Sequence, residues 1–186
     1  MRKKFYYSIH FMRLNALVFR DQSELGGFVM SIYMKVDGIE GNVTAKGFEK
    51  MIEVYSFSFG VGRGIVAKAG NTQDREASAP SFSEINITKI LDKTSPLLFT
   101  ESCVGKAKNY EFHFVETSDA LEEYFDCKLT NVLISSYSVS SDGGEPTESI
   151  SLSYDKIEVS FSPRDDKDAK GGAVRAAYNL ATASTK

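Results

Sequence analysis

The residues able to do chemistry in this chain are few, and their spacing suits no reaction. There are two histidines, His10 and His113. A Ser-His or Cys-His nucleophile needs an imidazole that a third group holds in place. His113 instead lies in NYEFHFVE, beside Glu111 and on the face opposite Phe112 and Phe114, which predicts a solvated strand residue. Serines are abundant, but no GxSxG elbow is among them. Cys103 and Cys127 stand far apart without a CxxC pair and read as free thiols of a reducing compartment. Gly60, Gly62 and Gly64 form GVGRG, yet neither the strand–turn–helix frame of a dinucleotide site nor the Lys-Ser/Thr ending of a phosphate loop follows. The acidic pairs Glu122–Glu123 and Asp165–Asp166 are adjacent, so an extended backbone points their carboxylates apart. No set of residues has metal-ligand spacing. The expectation is a protein with no enzymatic activity, no cofactor and no metal.

The elements carry more information. A length of 186 residues allows one domain with its own core. Thirteen Phe and nine Tyr favour strands. The net charge of −3 gives no reason to expect nucleic acid, and no apolar run is long enough for membrane insertion.

The stretch Leu129–Pro163 organises the chain. Two runs alternate between apolar and small polar residues. In the first, Leu133, Tyr137 and Val139 share a face, with Ser136, Ser138 and Ser140 opposite; in the second, Ile150, Leu152 and Tyr154 share one. SSDGGEPTE between them is a turn, so the pair is a long hairpin. The apolar set then moves from even numbers to odd ones at Ile157, Val159 and Phe161, which predicts a β-bulge near Asp155–Lys156. The same phase change separates Ile52 and Val54 from Tyr55, Phe57, Phe59 and Val61. Further strands are expected at Ser31–Val36, Phe82–Leu91, Asn109–Glu116, Leu121–Thr130 and Gly172–Thr182. Gly62–Ser81, rich in Gly, Ala and Ser, reads as a long loop. Ser95 as N-cap, Pro96 in the first turn and Gly105 as the stop frame one short helix. The expected fold is mainly β: a barrel of about eight strands, closed or nearly so, with one short helix on its flank and a protruding loop and hairpin.

Residues 1–29 differ from the rest, with five bases against two acids. Ser8, His10, Arg13 and Asn15 interrupt what would be a signal-peptide core, and no small-residue cleavage site follows. Leu25–Met30 back-translates to a run resembling a ribosome-binding site ahead of a start at Met30. The expectation is an N-terminal extension over 1–29, disordered or a leader read as protein, followed by one domain over 30–186.

Four stretches of that domain resemble, in order, the Hcp family of bacterial type VI secretion tube proteins. They are IEVYSFSFGV, the strand-to-helix junction ITKILDKTSPLL, the hairpin VLISSYSVSSDGGEPTESISLSYDKIEVSF, and GGAVRAAYNL near the end. Tyr178 stands where the family usually has Trp. The resemblance implies a barrel protomer that closes into a homo-hexameric ring. It also implies rings stacked into a tube driven by a contracting sheath behind a spike, with small effector cargo in the lumen. Such a protein is cytoplasmic when assembled, then secreted to the medium or into a target cell. The resemblance further implies that the loop reaches the adjoining ring, and its Arg63, Lys68, Asp74, Arg75 and Glu76 can present both signs of charge to that neighbour. The serine-rich strand faces suit a wetted lumen or a subunit contact. Two other classes stay open on the residues alone: a monomeric lipocalin-like carrier of a small apolar ligand, and a hydrolase, for which the chain offers almost no histidine chemistry.

Overall fold

The computed structural model describes residues 29–67, 75–117, 121–163 and 171–185. Of the extension expected over 1–29, residues 1–28 lie outside them, and Val29 opens the first strand. Thirteen strands and one helix follow in order: β1 (Val29–Val36), β2 (Ile52–Val54), β3 (Ser56–Ser58), β4 (Val61–Gly62), β5 (Ile65–Ala67), β6 (Arg75–Ala77), β7 (Ser81–Phe82), β8 (Ile85–Ile90), α1 (Ser95–Val104), β9 (Lys108–Thr117), β10 (Leu121–Ser140), β11 (Thr147–Ser153), β12 (Lys156–Phe161) and β13 (Val174–Asn179).

Nine of these strands form one antiparallel sheet in the order β2-β1-β9-β10-β11-β8-β3, with β12 added on β10 and β13 on β12. β10 is the central element. Its first half pairs with β9 and β12, its second half with β11. The exchange of partners happens at Asn131, whose φ of 57° is left-handed, a conformation Asn tolerates better than most residues. Asn131 takes the Asn109 side-chain oxygen on its backbone N–H and bonds the Asp155 carboxylate through its amide. Asp155 is the break between β11 and β12, so the predicted bulge is the corner at which one hairpin arm serves two parts of the sheet. The other predicted phase change is real too. Tyr55 separates β2, which pairs β1, from β3, which pairs β8. The ladder therefore starts and ends on consecutive pieces of one chain segment, and Tyr55 interrupts it: the sheet curls nearly round on itself but does not close by an unbroken ladder.

The core lies inside this curl. Met34, Ile52, Ile85, Ile87, Phe112, Ile150 and Leu152 are wholly buried, each contributing about 1.5–3 kcal/mol. Those of β2, β8, β9 and β11 lie on the alternating apolar face of their strands, and Met34 adds the inward face of β1. The first hairpin strand departs from expectation. Register shifts at Leu129/Val132 and Ile134/Ser136 move the inward phase along β10, so Val132 is buried while Leu133 and Val139 are exposed. On the second, Phe161 is exposed because β12 runs past the core. Gly41 has a steric reason: a Cβ there would lie 2.1 Å from the Met51 carbonyl oxygen.

Two local predictions need correction. The described part of Gly62–Ser81 is not an irregular loop. β4 pairs β7 and β5 pairs β6; a Gly64–Ser78 backbone hydrogen bond lies between the two ladders and a Gly60–Ser83 one at their root, and the whole is a ribbon, here called the arm. Glycine and alanine carry no strand signal, and interspersed among the ribbon residues they mask its pattern. The helix begins at Ser95 with Thr94 as N-cap, and Thr94 makes no side-chain cap hydrogen bond. Gly105 stops it as predicted, in the left-handed conformation at φ 66°.

Candidate functional site

Strands β3, β8, β11 and the second half of β10 present a face of uncharged polar side chains. The registers place Ser136, Ser151, Asn86 and Ser58 in one row, and Ser138, Ser149, Thr88 and Ser56 in the next. Neighbours within the rows bond one another: Ser151 Oγ donates to Asn86 Oδ1 at 2.7 Å, and the Ser56 and Thr88 hydroxyls lie 2.6 Å apart. The charged side chains of these four segments, Lys89 and Glu148, point the other way and are wholly buried. The predicted serine faces thus become one wetted surface without fixed charge.

Beneath that surface, Lys89 and Glu148 sit directly opposite each other on β8 and β11. The Lys89 Nζ donates to Glu148 Oε2 and Asp92 Oδ1, both at 2.9 Å, to the Ile90 carbonyl at 2.8 Å and to Ser95 Oγ at 3.3 Å. Tyr137 donates its hydroxyl to Glu148 Oε1 at 2.6 Å. Burial, then this hydrogen bond, pushes the Tyr137 phenol above its ordinary range. Burial alone would raise Asp92, but hydrogen bonds from Thr94 and Lys89 outweigh it and hold the carboxyl below its usual value. Two stretches distant in sequence, TKILDKTS and PTES, meet here and fasten the helix start to the hairpin. Sequence reasoning missed the cluster, although a signal existed. Lys89 continues the inward phase of Ile85 and Ile87, and Glu148 that of Ile150 and Leu152. Two opposite charges in core phase imply a buried pair.

Elsewhere on the outward side of the sheet, on β9, His113 is mostly buried rather than solvated. Its Nδ1 lies 2.6 Å from Glu123 Oε1, its Nε2 is buried 3.6 Å from Glu111 Oε2, and its ring packs on Phe48. The segment before β2 folds over this face through Phe48, which also meets Tyr33; that covering was invisible in the local pattern. Next to His113 runs a groove of about 560 Å³ lined by Asp126, Lys128, Glu158, Ser160 and Arg175 among others. The arrangement holds no nucleophile beside a base. His113→Ala is expected to destabilise the fold by about 1–2 kcal/mol, read as a lower denaturation midpoint in urea, with the oligomeric state unchanged. Cys127 is buried, which pushes its thiol up to about 12, whereas Cys103 is exposed. Among the described residues no group of three or more His, Cys, Asp or Glu is placed to hold a metal ion.

Of the predicted contact residues, Arg63 is exposed at the root of the arm. Arg75 and Glu76 lie in β6, opposite Ala67 and Val66. Lys68 and Asp74 lie outside the described residues.

A family model described as "Type VI secretion system effector, Hcp" matches residues 33–161. The chain belongs to the Hcp family. Its relatives include Protein hcp1 of Pseudomonas aeruginosa strain PAO1, 28% identical over 111 residues, a match that takes in 54% of this chain and 65% of the relative. Among solved structures, one of a type six secretion system protein is 26% identical with a TM-score of 0.80, covering 85% of this chain and all of the other. Hcp1 from Salmonella typhimurium is 20% identical with a TM-score of 0.68, covering 84% and 99%, and supports the fold. The chain spans just under two thirds of the length of the Pseudomonas relative. The Hcp fold accounts for the curled sheet with its added strands. The lipocalin-like reading finds no support.

Proposed function

We propose that this type VI secretion component builds the tube. Protomers close into homo-hexameric rings, rings stack, and the charge-free face of β3, β8, β11 and β10 lines the lumen. That face is the observation that carries the reading. A channel that passes small effectors of differing charge must not trap them, and hydroxyl and amide groups wet the wall without fixed charge. Burying Lys89 and Glu148 behind the sheet, rather than placing them on it, keeps the wall neutral. The sheath outside and the spike at the tip are the remaining partners, and secretion follows assembly in the cytoplasm. Native mass spectrometry and electron microscopy of the purified chain test the reading. Rings of about six protomers that stack at high concentration are expected; a protein that stays monomeric at every concentration overturns it. Within rings, Ser138→Lys with Ser149→Lys is expected to leave the oligomer intact and to reduce retention of basic cargo, read by co-purification.

A further inference from the structure

Two Asp-Gly pairs occur in the chain, Asp37–Gly38 after β1 and Asp142–Gly143 at the tip of the β10–β11 hairpin. An aspartate followed by glycine is open to attack by its own backbone. The glycine nitrogen reaches the aspartate side-chain carbon, and glycine has no Cβ to hinder the approach or the ring that results. Because the dipeptide is the same in both places, its surroundings in the fold decide where the reaction runs.

Asp37 is held on both sides. Its backbone N–H donates to the Asn109 carbonyl at 3.3 Å, and its carboxylate takes the Asn109 amide at 3.2 Å. The turn closes through the Ile39 N–H on the Val36 carbonyl at 3.1 Å, and Ile39 is buried. Ring closure would have to draw the carboxylate off β9 and rotate a peptide unit between anchored residues, which requires local opening first.

Asp142 is under no such restraint. Residues 141–145 lie past the last ladder pair, Ser140 with Thr147, and all of them are exposed. The hydrogen bonds of Asp142, Gly143 and Gly144 stay within the tip. Gly144 N–H donates to Asp142 Oδ1 at 3.3 Å, Gly143 N–H to Ser141 Oγ at 3.4 Å, and the Ser141 hydroxyl to the Gly144 carbonyl at 3.2 Å. The first of these folds the aspartate side chain along the backbone that follows it, the side on which the Gly143 nitrogen lies. Gly143 stands at φ 102°, with open space where a Cβ would be.

We propose that Asp142 is a site of spontaneous backbone rearrangement, through a succinimide to isoaspartate, and that Asp37 in the folded chain is not. In the first step the Gly143 nitrogen bonds to the Asp142 side-chain carbon through its electron pair. A carboxyl oxygen leaves as water, taking the amide proton and one proton from solvent. In the second step water adds at the Asp142 α-carbonyl carbon and breaks its bond to the Gly143 nitrogen. That nitrogen takes one proton of the water, and the other returns to solvent. The chain now runs through the former side chain, one carbon longer, and the old α-carbonyl is a free carboxylate. Mass and charge are unchanged. The ladder ends at Ser140, so the tip changes shape while the hairpin below it persists. The product is the substrate of the class of enzyme that methylates isoaspartyl carboxylates with S-adenosylmethionine. The rearrangement needs only the folded chain and does not depend on the proposed tube.

The test incubates the purified full-length chain at neutral pH and 37 °C and samples it over weeks. Each sample is digested and labelled with an isoaspartyl methyltransferase and S-adenosylmethionine, and the peptides are assigned by mass spectrometry. Isoaspartate is expected to form in the peptide carrying Asp142 at least about tenfold faster than in the one carrying Asp37. In urea, with the chain unfolded, the two rates are expected to agree within about threefold. Asp142→Glu, whose ring closes less readily, is expected to lose the label at the tip with an unchanged melting temperature. Absence of isoaspartate at Asp142, or equal rates at the two sites in the folded chain, overturns the proposal. So does a tenfold difference that persists in urea, because local sequence and not the fold would then set the rates.

Discussion

Lys89→Ala is expected to cost about 3–5 kcal/mol, which for a domain whose whole stability is about 5–15 kcal/mol leaves little or no folded protein at 37 °C. The reason is asymmetry. Lys89 and Glu148 are both wholly buried, and the Glu148 carboxylate has Lys89 as its cationic partner and the Tyr137 hydroxyl as a donor. Removing the ammonium leaves a buried charge with one hydrogen bond, and the Ser95 hydroxyl and Asp92 lose a donor as well. Replacing the pair together is a different matter. Lys89→Met with Glu148→Gln keeps volume and an acceptor for Tyr137 while removing both charges, and is expected to recover most of the loss. Chemical denaturation of the two single variants and the double one gives the coupling energy. A coupling near zero would sink the account. The same cluster makes the fold sensitive to acid. Asp92 has its carboxyl held below its ordinary value, so in the unfolded chain it binds a proton more readily than in the folded one. Its contribution is therefore full above the ordinary value of 3.8 and is lost as pH falls through the lower, folded value. Melting temperature is expected to fall more steeply below pH 4 in the natural chain than in Asp92→Asn.

Why some of this was legible in the sequence and some was not follows from the range over which each signal acts. Period-2 alternation placed Ile85, Ile87, Phe112, Ile150 and Leu152 correctly because one buried face per strand suffices to produce it. Both phase changes pointed to true breaks, at Tyr55 and Asp155, because a strand that changes partners must shift its inward set. The family resemblance came from stretches that meet in space, and Lys89 and Glu148 show why those stretches go together. What stayed hidden depends on partners distant in sequence. Leu133 looked inward until the left-handed Asn131 shifted the register of β10. His113 looked solvated because Phe48, which covers it, is on a segment with no strand pattern. The arm resembles a loop in sequence because Gly60, Gly62 and Gly64, alternating with Val61, Arg63 and Ile65, lower the strand signal without preventing the ladder. The hydroxyl face was half legible: the serines of the hairpin were evident, but Asn86, Thr88, Ser56 and Ser58 join them only through register.

Shortening Ile65–Ala77 to a brief Gly-Ser link is expected to leave rings and abolish tubes. The described part of the arm makes a two-stranded ribbon, and an isolated ribbon of that kind is marginal in water. Ile65 is exposed on it, and both of its outer backbone edges lack a strand partner among the described residues. Such an element is explained by a neighbour that covers it, and we propose that the neighbour is the adjoining ring, reached by Arg63, Lys68, Asp74, Arg75 and Glu76. The shortening spares what ties the described part of the arm to its own protomer: the β4–β7 ladder, the Gly60–Ser83 hydrogen bonds and the stack of Phe82 on Tyr178. The protomer should therefore melt within about 2 °C of the natural chain, with a ring of unchanged mass by native mass spectrometry and no tubes by electron microscopy at concentrations where the natural chain stacks. Normal tubes from the shortened protein would mean that the arm is a solvated excursion. Monomers would mean that it holds the ring as well, and that the two interfaces cannot be separated in this way.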